Sequence, residues 1–257
     1  IFDTIPTQLF CYLIITLHRS GLLERFTFFT VLLYDLEPSF ARLSKKTANI
    51  LKHYPNIHIA TDTQRLLSIY SKCFCKKIIL IPQIFDADFK YTPIKKQKNE
   101  LYISYLGLAT TAKGFNLLPE ILHNLLSDIE LKVKLKFFIQ SSMRTEDYKV
   151  QLSIAKLKLL KNKYPENIYI LESPLEHDEF KNLLINSDLL LVLYDKNHYK
   201  NASSGIAAQA QFYNIPIITN SNTHFSYNNL VYEKTKDIPD IIKKFCNQYR
   251  KANKQNL

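Results

Sequence analysis

The chain has 257 residues, 46% of them hydrophobic, and a formal charge of +11. It is long enough for one large or two ordinary domains, each with a real core. No run reaches the roughly 20 apolar residues that span a bilayer, and four cysteines (Cys11, Cys73, Cys75, Cys246) in a chain this size do not form a disulfide framework. Cys73-x-Cys75 has no second pair at metal-ligand spacing, so no zinc site is expected, and the cysteine usage points to a reducing, cytoplasmic compartment. The positive charge suits nucleic acid, an anionic membrane surface or a phosphorylated substrate. A lysine-rich composition explains it equally well. The basic residues are 28 lysines to six arginines, scattered along the chain, whereas nucleic-acid readers favour the bidentate fork of arginine; nucleic acid is therefore not the expected partner.

Taken in chain order, short apolar runs alternate with longer amphipathic ones, the pattern of βαβ units and a parallel sheet. Leu9–Leu17 (LFCYLIITL) is too short to span a membrane and reads as a buried helix. Arg25–Tyr34 is β-branched and aromatic and reads as a strand ending at Asp35. A helix follows over Phe40–His53, a strand over Asn56–Ala60, a helix over Thr63–Cys73 and a strand over Lys77–Ile81. From Pro82 to Glu100 the chain turns polar, which marks a linker. Strands then fall at Leu101–Leu106, Leu135–Ile139, Asn167–Leu171, Asp188–Tyr194 and Ile215–Thr219. Amphipathic helices lie between them near Phe115–Leu126, Glu146–Lys163, Glu176–Asn186 and Gly205–Tyr213. This second series predicts a doubly wound, Rossmann-like domain. Asp237–Lys251 reads as a final helix.

The chain has only four glycines, far below the usual level of about 7%. Three of them, Gly107, Gly114 and Gly205, sit at strand-to-helix junctions of the second series, which predicts positive φ or close approach of a ligand to the backbone. The first junction, Leu106–Phe115, is a Gly-x5-Lys-Gly loop leading into a helix. Its amides, the helix dipole and Lys113 suit a phosphate. It matches neither the P-loop nor G-x-G-x-x-G. In the second junction a polar loop follows Tyr194 and contains Tyr199. Ser203 or Ser204 can cap the next helix, and Gly205 leaves exposed amides in its first turn. Gln209 lies one turn on, where its amide can bond to sugar or ribose hydroxyls, or simply face solvent.

The stretches Leu101–Leu125 (LYISYLGLATTAKGFNLLPEILHNL) and Ser173–Thr219 (SPLEHDEFKNLLINSDLLLVLYDKNHYKNASSGIAAQAQFYNIPIIT) together resemble the carboxyl-terminal domain of GT-B glycosyltransferases of the glycogen-synthase-like kind. The resemblance covers about residues 77–225, and the second stretch is the more specific. It implies an α/β, GT-B-like chain of two Rossmann-like domains, the first small or incomplete. Residues 1–90 would form the acceptor-side domain, 91–235 the donor-binding domain, and 236–257 a helix crossing back to the first. It further implies transfer of a sugar from a nucleoside-diphosphate sugar to a glycan, lipid-linked or other hydroxyl acceptor, with retention of configuration and neither metal nor cofactor. Lys113 would contact the donor diphosphate alongside Gly107 and Gly114, and the amides of Ser204, Gly205 and Ile206 would hold its phosphates. Gln209 would stand where the family binds ribose with a glutamate, and Tyr194 and Tyr199 would line the pocket. Three positions depart from the family. Leu108, Ala109 and Thr110 stand where an arginine is common, Gln209 replaces the glutamate, and Asn214 replaces a glycine in a turn, where asparagine is the best substitute for a left-handed residue.

No catalytic group follows from the resemblance. Asp35 and Glu37, ending the first predicted strand, are candidates to act on an acceptor hydroxyl, and His224, after the fifth strand of the second series, is a candidate to face the donor. The other histidines show no ligand or triad spacing. The competing reading is a non-catalytic module that binds a sugar nucleotide or a partner, and peripheral association with a membrane stays open beside both. Ile1 stands in place of an initiator methionine, and the only methionine is Met143. With three credible strands before the linker, the first domain is expected to be truncated or small, with fewer strands than the second, and the final helix is expected to pack against it.

Overall fold

The computed structural model describes residues 5–33, 38–81, 89–97, 99–128, 133–142, 147–199, 203–223, 225 and 229–255. The chain divides into two compact units, Ile1–Phe85 with Asn201–Ser203, and Asp86–Lys200 with Ser204–Leu257.

The first unit runs α1 (Thr7–Arg19), β1 (Phe28–Val31), α2 (Ala41–Leu51), β2 (Ile57–Thr61), α3 (Gln64–Phe74) and β3 (Ile78–Leu80). Its described strands form one parallel sheet in the order β1-β2-β3. The LFCYLIITL segment is helical, as its spacing predicts, and amphipathic. Phe10, Cys11 and Ile14 are buried, while Leu9 and Tyr12 on the other side are exposed. Phe10 meets Phe74 edge-on at 5.7 Å, and Phe74 stacks on Tyr70 at 5.9 Å, which pins α1 to α3. Thr63 caps α3 by accepting the Leu66 N–H, and Cys75 ends it in the left-handed region at φ 50°. The strand predicted over Arg25–Tyr34 pairs only over Phe28–Val31.

The second unit runs β4 (Glu100–Tyr105), α4 (Leu118–Leu126), β5 (Lys134–Gln140), α5 (Tyr148–Lys163), β6 (Ile168–Leu171), α6 (His177–Asn186), β7 (Leu189–Val192), α7 (Lys196–Tyr199), α8 (Gly205–Phe212), β8 (Ile217–Asn220), β9 (Leu230–Tyr232) and α9 (Ile238–Gln255). All its pairings are parallel, in the order β6-β5-β4-β7-β8-β9. Counted from β4, that is 3-2-1-4-5-6, the order of a dinucleotide-binding fold. Helices cover both faces, so the central strand β7, Leu189–Val192, is apolar and buried on both sides. Along β7, Leu189 and Leu191 join the core under α4, α5 and α9, and Leu190 and Val192 join the one under α6 and α8. Asn214 takes the left-handed turn between α8 and β8 at φ 55°, as expected of its type.

Three features depart from expectation. β9 is a sixth strand of three residues, too short for its periodicity to show. The polar stretch expected as a linker is, over its described part, strapped to the second unit. The Thr92 and Ile94 amides donate to Asn182 and Asn186 of α6, each at 2.9 Å, and Lys96 pairs with Asp188 at 2.8 Å. The last helix was expected to pack against the first domain. Its described apolar face instead places Ile238, Ile242 and Cys246, all fully buried, in the core of the second unit. The i, i+4, i+8 spacing of these residues makes one stripe, which α4 and the sheet cover. No helix among the described residues is long and apolar enough to cross a membrane.

Candidate functional site

In an open parallel sheet the crevice lies beyond the carboxyl ends of the strands, where the strand order reverses. Here that point is between β4 and β7, and the two glycine-bearing junctions follow those two strands.

The junction after β4 is held by its own polar groups. Gly107, at φ +100°, donates its N–H to the Gln140 side chain at 2.7 Å, and Ala109 donates to the Ser142 carbonyl at 2.9 Å. Thr110 caps a single 3-10 turn, Thr111–Lys113, by accepting the Lys113 N–H at 3.2 Å. The Thr111 hydroxyl donates to Asp147, whose carboxylate also caps α5 through the Lys149 and Val150 amides. The Thr111 hydrogen bond is the largest reason the Asp147 carboxyl lies below its usual range. The buried Tyr105 hydroxyl donates to the Lys113 carbonyl at 3.3 Å. Gly114 sits at φ +74°, and a Cβ there would fall 2.1 Å from the Leu193 carbonyl oxygen. Its missing side chain is therefore filled by protein, not by a ligand. The glycine lets the two junctions touch.

The junction after β7 is built on Tyr194. This ring is 4% exposed, 4.1 Å from Tyr199 and 5.8 Å from Phe225. Tyr194 is a buried post beneath the crevice, which corrects its expected place in the lining. Burial raises its phenol pKa, and the Ser204 hydrogen bond opposes that shift. Ser204 donates to the Tyr194 oxygen and accepts the Ala207 N–H, both at 3.2 Å, so one hydroxyl fixes the start of α8 on the post. Asp195 donates its N–H to the Ala112 carbonyl at 2.8 Å, tying one loop to the other. The polar loop expected after the strand contains the short helix α7, which begins where the Asp195 carboxylate accepts the Asn197 N–H. Gly205 is helical, exposed and open. It has no positive φ, and a Cβ there would meet nothing within 4 Å. Ser204 occupies the Ala207 and Ala208 amides, whereas those of Gly205 and Ile206 have no acceptor among the described residues. Gln209, half-buried one turn on, has no side-chain hydrogen bond among them either.

The junctions meet at Gly107. The position its Cβ would take is 2.7 Å from Ile206 Cδ1 and 3.6 Å from Lys113 Nζ. Lys113 Nζ also lies 5.9 Å from the Tyr194 ring centroid. An ammonium and the positive end of α8 thus border one place, with Tyr199 beside it, which is suited to two linked phosphates. Asp35, Glu37 and His224 lie outside the described residues. Sequence reasoning missed Gln140 and Asp147. Gln140, the polar residue closing an otherwise apolar strand end, was a usable signal; Asp147 had none beyond its capping type. Among the described residues no group of three His, Cys, Asp or Glu side chains is placed to hold a metal ion. A separate groove of about 610 Å³ runs between α4 and α5, lined by Asn116, Glu120, His123, Lys156, Leu159 and Lys163, and shares no residue with these junctions.

No protein-family model matches the sequence, and no curated protein matches it. Solved structures do. An apo structure of OtsA superposes with a TM-score of 0.62 at 11% identity, over 95% of this chain and 63% of that one. The E. coli trehalose-6-phosphate structure bound with UDP-2-fluoro glucose gives 0.63 at 10% identity, over 94% and 64%. Anabaena HepE in complex with UDP-glucose gives 0.61 at 11%, over 95% and 68%. The chain spans 63% of the OtsA length and 58% of that of the next similar structure, a Candida albicans trehalose-6-phosphate phosphatase amino-terminal domain. What these likenesses share with the chain is the fold, and that fold is GT-B.

Proposed function

We propose that the chain is a glycosyltransferase that takes a nucleoside-diphosphate sugar at the β4–β7 switch point and passes the sugar to an acceptor hydroxyl. One observation carries this reading: Lys113 Nζ and the Ile206 side chain, from the first turn of α8, both approach Gly107, and the Gly205 and Ile206 amides of that turn have no acceptor among the described residues. The donor's diphosphate lies there, with Lys113 and the α8 dipole opposing the negative charge that grows on it as the sugar departs. That arrangement supplies the role a metal ion would play, so none is required. Gln209 bonds to the ribose, Tyr199 borders the sugar nucleotide, and the reaction retains configuration, as the family resemblance implies. Similar structures were solved with UDP-glucose and UDP-2-fluoro glucose, which makes a UDP-sugar the first donor to try. The four cysteines are free, in keeping with a cytoplasmic protein.

The test is a thermal-shift screen against UDP, GDP, ADP and CMP and their sugars. A ligand at 100 times its dissociation constant stabilises by about 2.7 kcal/mol. Lys113→Ala should weaken binding by about 1.5–3 kcal/mol, the usual worth of a charge-assisted bond, without lowering the melting temperature of the free protein. Equal binding by variant and parent would sink the site. A second reading, binding without transfer, draws on the neutral Gln209 where the family has a carboxylate. Release of sugar from the nucleotide that binds, in the presence of hydroxyl acceptors, separates the two.

A further inference from the structure

Helix α5 is apolar on two opposite sides. Its inner side is accounted for, since Val150 and Leu157 are fully buried in the core of the second unit. Directly opposite, at intervals of four, three and four residues, run Tyr148, Leu152, Ala155 and Leu159, all exposed: Tyr148 is 75%, Leu152 42% and Leu159 70% open. One flank of this stripe is a row of exposed lysines at seven-residue spacing, Lys149, Lys156 and Lys163. Lys158 stands on the other flank and pairs with Glu172 at 2.9 Å. No acidic residue lies within the helix itself. A single exposed leucine needs no explanation, but a stripe over about three turns, flanked along its length by lysines, does.

We infer that this face of α5 docks on an anionic lipid surface, with Tyr148, Leu152 and Leu159 entering the headgroup boundary and the lysine row lying among the phosphates. A helix that rests in the plane of a membrane shows this division into apolar stripe and lysine flank. Lysine stems can lie along the lipid while their ammonium groups reach water and phosphate. A second copy of the chain is disfavoured by charge, because two such helices laid stripe to stripe would bring their lysine rows together with no carboxylate on either helix to offset them. The groove between α4 and α5 opens beside the stripe, with Leu159 on its lip and Lys156 and Lys163 at its rim, and offers room for a headgroup.

The test is cosedimentation of the whole chain with vesicles of phosphatidylcholine and phosphatidylserine, against pure phosphatidylcholine. The chain should partition onto the anionic vesicles and leave them as salt rises. The lysine variant Lys149→Gln/Lys156→Gln/Lys163→Gln should bind about fivefold more weakly for each lysine removed. Leu152→Gln/Leu159→Gln should bind roughly tenfold more weakly. A melting curve shows whether each variant folds; if the leucine variant does not, the lysine variant decides alone. Equal sedimentation with both vesicle types, or variants that bind as the parent does, overturns the inference. So does a dimer in analytical ultracentrifugation that the leucine variant dissociates. None of these outcomes depends on whether the β4–β7 crevice takes a nucleotide.

Discussion

The junction after β4 and the junction after β7 both carry glycine, and they use it for opposite purposes. After β4, Gly107 and Gly114 hold left-handed conformations and their missing side chains are replaced by protein atoms, Ile206 and Lys113 in one case and Leu193 in the other. Almost every polar group there has a partner within the unit. After β7, Gly205 is an ordinary helical residue facing open space, and its own amide and that of Ile206 have no acceptor among the described residues. The first loop is a finished scaffold that presents Lys113. The second is an unfinished surface. Rarity of glycine marks both, but only geometry tells a packing glycine from one that leaves room for a ligand.

The largest effect should come from breaking the scaffold. Gly114→Ala sets a methyl 2.1 Å from the Leu193 carbonyl at a φ that side chains rarely adopt, and should lower stability by about 2–4 kcal/mol in a urea melt. An unchanged midpoint would mean that the two loops separate freely. At the open junction, Gly205→Val should leave the midpoint within about 0.5 kcal/mol of the parent, because nothing lies within reach of the new side chain. Its affinity for the diphosphate should nonetheless fall at least tenfold in calorimetry. If the valine variant binds like the parent, the open space is not where phosphate sits. The smallest effect concerns the tether between Thr111 and Asp147. The Asp147 carboxyl is held below its ordinary value in the folded chain, so its contribution is complete above the unfolded carboxylate pKa and is lost as pH falls through the lower, folded one. Asp147→Asn should therefore lower stability modestly near neutrality and flatten the acid limb of the profile below about pH 4, where the variant and the parent converge. A parallel displacement of the whole profile would show that the charge is not what matters there.

The sequence made the elements of the second unit legible because its strands carry short apolar runs such as Leu189–Val192 and α8 starts at a recognisable cap, Ser204. It did not reveal the strand order, which depends on which apolar surfaces meet after the chain has doubled back. The reason for Gly114 was hidden likewise, since Leu193 is far along the chain. Gln140 escaped notice because a side chain that braces a distant backbone amide leaves no spacing to read. The outer stripe of α5 was hidden by success: a helix with one good apolar face satisfies the search for amphipathicity, and the second face is noticed only when exposure is known. The strand predicted over Arg25–Tyr34 was too long at its start, because exposed Phe26 is aromatic like a strand residue but lies before the paired Phe28–Val31.

The neighbours at the centre of the second sheet, Ile103 and Leu189, come from opposite ends of a long excursion that includes β5, β6 and three helices. Contacts of such large sequence separation form late, because the intervening chain must be ordered before they gain anything. During synthesis the lysine loop is made well before the strand it leans on. Until Leu189–Val192 emerge, the flank of β4 that they will cover is a bare parallel edge, open to pairing with other chains. The crevice is therefore among the last parts of the unit to exist, and a chain halted before β7 would carry Lys113 without Tyr194 or the start of α8 to face it.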